Sequence, residues 1–218
     1  MQVTDPAFID FEALEKAEVS QDPFPFLVVS DFLRKETADQ VARDFPKIDF
    51  AGSVPVNAVE LDAGFRRFID ELESDALRSA IAKKFNVNLE NRPTFITLRG
   101  KTRAKDGRIH TDTKSKLVTL LLYLNPEWNS DAGRLRILRD GENLENYVTE
   151  IPPTLGHCLI FKVTENCWHG HKPFEGERRA IQLNYLTNEA AMKQHLSKHN
   201  LSARWKSWKR RFSRGDEY

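Results

Sequence analysis

The sequence predicts a mainly β fold of the α+β class, in which helices come first and short strands then form a sandwich or barrel. From residue 94 onward, short segments rich in β-branched and aromatic residues alternate with turn-forming pairs such as Asn125-Pro126 and Asp140-Gly141. No long helical pattern interrupts this run of segments until residue 188. Before residue 90, in contrast, apolar residues recur at helical spacing.

The composition is that of a globular protein. The chain has 218 residues, of which 40% are hydrophobic, so it can bury a core as one domain or as one domain with a helical extension. The formal net charge of +1 does not suggest that the whole molecule binds polyanions. The longest apolar run, residues 117–124, is too short to span a membrane and is predicted to be a buried strand.

The two cysteines bear on the compartment rather than on the chemistry. Cys158 and Cys167 have no flanking cysteine motif and are predicted to be small, buried apolar residues. The N-terminus lacks a basic flank followed by an apolar run, the pattern of a secretory signal. A reducing, cytoplasmic location is therefore expected.

Residues 1–90 are predicted to form a helical support region with one short strand, as part of the same domain as the rest. Its predicted elements are a short helix over 8–17, a strand at 27–29, a helix over 33–45 that Pro46 ends, a loop or irregular strand over 51–62, and one long amphipathic helix over 65–85.

Residues 91–187 are predicted to form the β core, and residues 188–218 a basic helical extension. The predicted strands are 94–98, 108–111, 116–124, 135–138, 147–151, 157–161, a segment around 168–169, and 179–185. A flexible, charged loop is expected over 100–107, next to the first candidate site residues. A helix over 188–200 is followed by a basic segment over 204–214.

The first candidate site residues are His110 and Asp112. They are two residues apart in a segment predicted to be extended, so both side chains would point to the same face of a strand. A second histidine from a distant strand would complete two imidazoles and one carboxylate on one face of a metal ion. Such a set leaves the opposite coordination positions open and suits Fe(II) oxygen chemistry. His169 and His171, which share a face if their segment is extended, are the candidates for that ligand.

Six short motifs occur in the order and spacing of a known family. They are His110-x-Asp112, Tyr123-Leu124-Asn125 with Trp128, Gly133-Arg134-Leu135, Pro152-Pro153 with Gly156 and Phe161, Trp168-His169-Gly170, and Arg178-Arg179-Ala180-Ile181. Between about residue 95 and residue 186, the chain resembles the Fe(II)/2-oxoglutarate-dependent dioxygenase superfamily, in its prolyl-hydroxylase-like branch. The nine residues from His169 to Arg178 match the spacing of that family.

The resemblance implies a double-stranded β-helix, which is a jelly-roll, cupin-like fold, with supporting N-terminal helices and a C-terminal helix. It also implies an oxygenase, most simply a hydroxylase, that uses Fe(II), 2-oxoglutarate and O2 and releases succinate and CO2. His110, Asp112 and His169 would bind the iron, and Arg178 would bind the far carboxylate of 2-oxoglutarate, with Arg179 as the alternative. His171 fits the family spacing less well than His169.

The chain departs from the family pattern at two positions. Ala132 replaces the first glycine of the usual Gly-Gly turn. The residue before Tyr123 is Leu122, whereas some relatives have at this position a tyrosine that contacts 2-oxoglutarate. We therefore expect that contact to come from Thr119 or Thr97.

These motifs do not specify the substrate. Either a residue of a peptide or a small molecule is compatible with them. Candidate residues on the substrate side are Arg99, Arg103, Arg136, Lys162 and His171. The competing hypothesis is a non-catalytic β-sandwich that binds a metal or a partner. In that case the basic segment with Trp205 and Trp208 would bind nucleic acid or an acidic partner. The simpler interpretation is that the two tryptophans cover the core while the charged side chains face water.

Overall fold

The structure is a computed structural model that describes residues 7–197. Its helices are α1 (Phe11–Lys16), α2 (Lys35–Arg43), a 3₁₀ turn (Val56–Ala58), α3 (Ala63–Leu72) and α4 (Asp75–Phe85), and residues 189–197 are also helical. Its strands are β1 (Phe26–Val29), β2 (Ser53–Pro55), β3 (Thr94–Thr102), β4 (Lys116–Tyr123), β5 (Leu135–Leu138), β6 (Tyr147–Ile151), β7 (Cys158–Lys162), β8 (His169–His171) and β9 (Gly176–Leu186).

These strands form two antiparallel sheets, in agreement with the predicted sandwich of the jelly-roll kind. The large sheet has the order β1-β7-β4-β9-β3-β2, and the small sheet has the order β6-β5-β8. Every strand pair in both sheets is antiparallel. Strands distant in sequence are therefore neighbours in space, and β9 lies between β3 and β4.

The large sheet buries a different set of side chains on each face. On the face toward the helices, Leu120, Ile160 and Leu183 pack in one core cluster with residues of α3 and α4. On the face toward the small sheet, Leu159 and Phe161 pack with Ile137 and other residues of the small sheet. This division follows from the period of two along a strand, which sends successive side chains to opposite faces.

The predicted helix over 65–85 is wrong, because two helices occupy that range. The first ends at Leu72, and Ser74 begins the second, since its hydroxyl accepts a hydrogen bond from the main-chain N–H of Leu77. The Asp62 carboxylate caps α3 in the same way, by accepting from the N–H of Phe65. Apolar spacing continued across Ser74 in the sequence, so a helix start signal inside the pattern was overlooked.

The segment before the candidate site also differs from the prediction. β3 continues to Thr102, because Lys101 and Thr102 pair with Glu177 and Gly176 of β9, so the predicted loop over 100–107 shrinks. No strand forms over 108–111; His110 makes only an isolated antiparallel bridge with His169. The range 51–62, predicted as a loop or irregular strand, contains β2 and the 3₁₀ turn.

Cys158 and Cys167 are both buried and unbonded, as predicted. Within residues 7–197, no helix has the length and apolar character needed to cross a membrane. The basic segment over 204–214, with Trp205 and Trp208, lies outside the described residues.

Candidate metal centre and its cavity

The structure brings His110, Asp112 and His169 together, although they come from two distant segments. Each offers a possible ligand atom, and these three atoms lie within 4.8 Å of one another. The main chains of His110 and His169 exchange two N–H···O hydrogen bonds of 3.0 Å, which holds the two imidazole centroids 4.3 Å apart. A main-chain bridge to the first residue of β8, rather than a regular strand, thus positions His110.

Both imidazoles have one nitrogen oriented by the main chain. Nδ1 of His110 lies 2.8 Å from the carbonyl oxygen of Arg108, and Nδ1 of His169 lies 2.8 Å from that of Cys167. A carbonyl oxygen only accepts, so each Nδ1 must carry the proton and donate. This tautomer leaves Nε2 of each ring with a free lone pair, which is the state required of a neutral metal ligand.

Asp112 is held as a carboxylate by two neighbours. Lys116 Nζ donates to its Oδ1 at 3.0 Å, and the Thr119 hydroxyl donates to its Oδ2 at 2.5 Å. Burial by itself raises the pKa of Asp112, but Lys116, His169 and Thr119 outweigh burial and keep the pKa below its ordinary value. Asp112 is therefore ionised at neutral pH and available to a cation.

His169 is suited to remain neutral. Burial, followed by the neighbouring His110, lowers the pKa of His169 to about 4. At pH 7 the ring therefore carries no charge, and no proton has to leave it when a metal binds. The donor set of two imidazoles and one carboxylate fits Fe(II). Neither His169 nor Asp112 has to change its protonation state to bind the ion.

The three candidate ligands open into a cavity of about 220 Å³ between the two sheets. Arg178 lies in its wall and is only 5% exposed. Its Nε donates to the carbonyl of Gly133 at 2.8 Å, and its Nη2 donates to the Tyr123 hydroxyl at 3.2 Å. These two contacts fix the guanidinium and leave its other N–H groups for a ligand.

Arg179 points the other way. Its Nη1 donates to the carbonyl of Ala42 at 3.2 Å, and its Nε lies 2.6 Å from the Glu177 carboxylate. The alternation along β9 explains the difference, because Arg178 and Ala180 line the cavity whereas Ile181 packs toward the helices. The structure thus places Arg178, and not Arg179, in the same cavity as the candidate ligands.

The two threonines expected to contact 2-oxoglutarate lie in different places. Thr97 lines the cavity. Thr119 is fully buried behind Asp112, where its hydroxyl contacts the Asp112 carboxylate and the Asn184 amide oxygen. Thr119 is not among the lining residues, and its hydroxyl orients the carboxylate of a candidate ligand.

Tyr123 is a residue that sequence reasoning missed. Our comparison with the family focused on Leu122, whose side chain packs toward the helices in the structure. Tyr123 shares its face with Thr119 and lines the cavity beside Arg178. Alternation along the strand would have identified it, since residues 119, 121 and 123 must share one face.

Two of the five substrate-side candidates, Arg99 and His171, line the cavity. Nδ1 of His171 lies 2.8 Å from the carbonyl of Lys172, and its ring packs against Gly107 so closely that a Cβ there would lie 2.1 Å from Nε2. Burial, followed by Arg178, lowers the pKa of His171 to about 4. The other three, Arg103, Arg136 and Lys162, are not among the lining residues.

Comparison with protein families supports the chemistry that this geometry suggests. Residues 101–186 match the 2OG-Fe(II) oxygenase superfamily. That family implies Fe(II), 2-oxoglutarate and O2, and His110, Asp112 and His169 can form its iron site. The predicted resemblance is thereby confirmed, and the matched residues include the small sheet, β4, β7 and β9 of the large sheet, and the three candidate metal ligands.

Solved structures with a similar fold include several prolyl hydroxylases. A prolyl-4-hydroxylase of Pseudomonas putida aligns with a TM-score of 0.59 and 17% identity, over 85% of this chain and 97% of that one. The viral collagen prolyl hydroxylase of Paramecium bursaria Chlorella virus-1, as a truncated form, aligns with a TM-score of 0.54 and 14% identity, over 86% and 97%. At these identities the likeness concerns the fold. None of the curated proteins compared with the chain matches it.

Proposed function

We propose that the protein is an Fe(II)- and 2-oxoglutarate-dependent oxygenase that hydroxylates its substrate and releases succinate and CO2. The observation that carries this proposal is the meeting of His110, Asp112 and His169 in one cavity with the buried Arg178. Two imidazoles and one carboxylate suit Fe(II), and a guanidinium suits a dicarboxylic acid. Residues 91–187 would form the catalytic core, as a double-stranded β-helix.

In this function His110, Asp112 and His169 would hold the iron, which when bound supplies the oxidation chemistry with O2 and 2-oxoglutarate. Arg178 would bind the far carboxylate of 2-oxoglutarate through two N–H donors. Burial raises the pKa of Tyr123 despite the opposing effect of Arg178, so its hydroxyl keeps its proton and can donate to the same carboxylate. Thr97 is a further candidate for this contact.

The substrate would be a peptidyl residue or a small molecule. Similarity to enzymes described as prolyl hydroxylases supports the first class. The charges of the cavity wall bear on the second, as argued below. A reducing, cytoplasmic location remains a prediction from the sequence.

The test uses purified protein without oxygen. Addition of Fe(II) and 2-oxoglutarate is expected to produce the visible charge-transfer absorption of a 2-oxo acid chelated to Fe(II), and later addition of O2 is expected to form succinate. His110→Ala should lose both signals. His157→Ala is the matched control, because His157 contacts Thr154 outside the cavity and should leave both unchanged. A folded wild-type protein without the absorption band would refute the proposal and favour the non-catalytic module.

A further inference from the structure

The cavity contains a second guanidinium, which the proposed function does not use. Arg99 lies on β3 opposite Ala180 of β9, and its side chain faces the same cavity as Arg178. The two cations are close enough that Arg178, after burial itself, contributes to lowering the pKa of Arg99. Placing two like charges in one cavity costs free energy, so an anion that binds between or beside them is favoured.

The contacts of Arg99 leave much of its donor capacity unused. Its Nη2 donates to the Ser53 hydroxyl at 3.1 Å, and its Nη1 lies 3.4 Å from the Asp106 carboxylate. A guanidinium has five N–H donors, and these two contacts, one of them long, occupy a minority. The Arg99 side chain is 28% exposed, so a ligand in the cavity can reach it.

Asp106 depends more on Arg103 than on Arg99. The Arg103 main-chain N–H donates to Asp106 at 3.0 Å, and Arg103 Nη2 lies 3.0 Å from the other carboxylate oxygen. If Arg99 turned toward a ligand, Asp106 would retain these shorter contacts. Arg103 is 45% exposed and does not line the cavity. It therefore offers a matched arginine that shares Asp106 but not the cavity.

Formal charges indicate that the cavity needs one anion more than 2-oxoglutarate supplies. The lining residues Arg99, Lys116 and Arg178 are positive, and Asp112 is negative. The charges of a bound Fe(II) and of the 2-oxoglutarate dianion would cancel. Asp106, in contact with Arg99, offsets one further positive charge. One positive charge remains, in a cavity partly screened from water.

We propose that Arg99 and Ser53 bind an oxyanion of the substrate, a carboxylate or a phosphate group, beside the 2-oxoglutarate site. This inference rests on the proposed function and narrows its substrate class to acids. Arg178 and Tyr123 already provide several donors for the far carboxylate of 2-oxoglutarate, which leaves Arg99 for a second ligand. A guanidinium binds either kind of oxyanion through two parallel hydrogen bonds, and the adjacent hydroxyl of Ser53 adds a donor.

The test measures how a bound metal relaxes the nuclei of small anions. The protein is loaded with Mn(II), which is paramagnetic, and with saturating 2-oxoglutarate. Methylphosphonate is then followed by its ³¹P relaxation, and acetate by the relaxation of its methyl protons, so the two arms separate phosphate-like from carboxylate-like ligands. We expect saturable relaxation enhancement for at least one probe in the wild-type protein.

Three variants identify the binding residue. Arg99→Gln should weaken binding of that probe about 10- to 100-fold, or about 1.4–2.7 kcal/mol, because it removes a charge-assisted hydrogen bond. Arg99→Lys should restore part of the affinity, and Arg103→Gln should leave it unchanged. All variants should keep the wild-type affinity for 2-oxoglutarate, measured by the charge-transfer absorption with Fe(II).

Each contrary result has a distinct meaning. If neither probe is relaxed, or if Arg99→Gln retains the wild-type affinity, Arg99 is only a structural link between Ser53 and Asp106 and the inference is wrong. If Arg99→Gln loses 2-oxoglutarate, Arg99 belongs to the co-substrate site and the inference is equally wrong. A wild-type protein that gives no charge-transfer absorption with Fe(II) and 2-oxoglutarate would instead refute the proposed function itself.

Discussion

The two faces of β9 have opposite compositions. Toward the helices the strand presents an apolar set: Ile181, Leu183 and Tyr185. Toward the small sheet it presents a set that lines the cavity: Arg178, Ala180 and Gln182. One strand therefore contributes to the largest apolar core with one face and to the candidate site with the other. Stability and chemistry are separated by the alternation of side chains rather than by distance along the chain.

Polar groups on this face form hydrogen bonds with one another. Asn184 accepts from the Gln182 amide at 3.1 Å and contacts the Thr119 hydroxyl, which in turn donates to Asp112. Buried polar groups are costly unless they are paired in this way. The comparison teaches that changes on the two faces should have different signatures: loss of ligand binding on the cavity face and loss of folding free energy on the helix face.

The largest effect is expected from the candidate metal ligands. His110→Ala should lower succinate formation at least about 1,000-fold, because two remaining ligands hold the metal poorly. It should also remove the rise in thermal stability that metal gives the wild type, about 2.7 kcal/mol at a metal concentration of 100 Kd. His110 is exposed, so the unfolding free energy of the metal-free protein should hardly change. A variant that kept its metal-dependent melting shift would contradict the assignment.

The second effect concerns the other face. Leu183→Ala should lower the unfolding free energy by about 2–5 kcal/mol, since Leu183 is fully buried in the core against the helices. Denaturant unfolding measures this loss. Under conditions where the variant is folded, its affinity for 2-oxoglutarate should equal that of the wild type. A loss of affinity without loss of stability would break the separation of the two faces.

Sequence reasoning could identify the candidate ligands because they are rare residues at informative spacing. His110 and Asp112 were recognised from their separation of two, and His169 from its separation of nine from Arg178. The argument for His110 and Asp112 assumed a regular strand, however, and the structure forms an isolated bridge to His169 there. The correct grouping therefore rested on an incorrect local geometry, because pairing with a distant segment is not encoded in the local pattern.

Other features of the fold depended on contacts between distant segments, or on local sequence signals that a stronger neighbouring pattern concealed. The break at Ser74 was obscured by apolar residues that continue at helical spacing on both sides of it. The extension of β3 to Thr102 could not be foreseen, since charged residues such as Lys101 form a strand only when β9 pairs with them. The alternation of side chains along β4 predicts that Tyr123 faces the cavity. This residue was overlooked because the family pattern drew attention to the neighbouring Leu122.

A smaller effect is expected at the candidate anchor for 2-oxoglutarate. Arg178→Ala should raise the KM for 2-oxoglutarate about 10- to 100-fold, the factor that corresponds to a charge-assisted hydrogen bond, while metal binding persists. Arg178→Lys should recover only part of the loss, because an ammonium group cannot make two parallel hydrogen bonds. Equal KM values in wild type and Arg178→Ala would exclude Arg178 as the anchor. Arg179→Ala is the control on the opposite face.

The smallest effect uses a pair of tyrosines on the two faces. Tyr123→Phe should raise the KM for 2-oxoglutarate roughly five- to tenfold, because it removes one hydrogen bond worth about 1 kcal/mol while the ring still packs beside Arg178. Tyr185→Phe should leave that KM unchanged. The Tyr185 hydroxyl faces the helices and has no protein hydrogen-bond partner within residues 7–197, so its removal should not lower the unfolding free energy either. Succinate assays and denaturant unfolding on both variants measure the two quantities. If Tyr185→Phe raised the KM as much as Tyr123→Phe, the two faces would be coupled, and the alternation along the strands would no longer explain how the protein keeps its core apart from its chemistry.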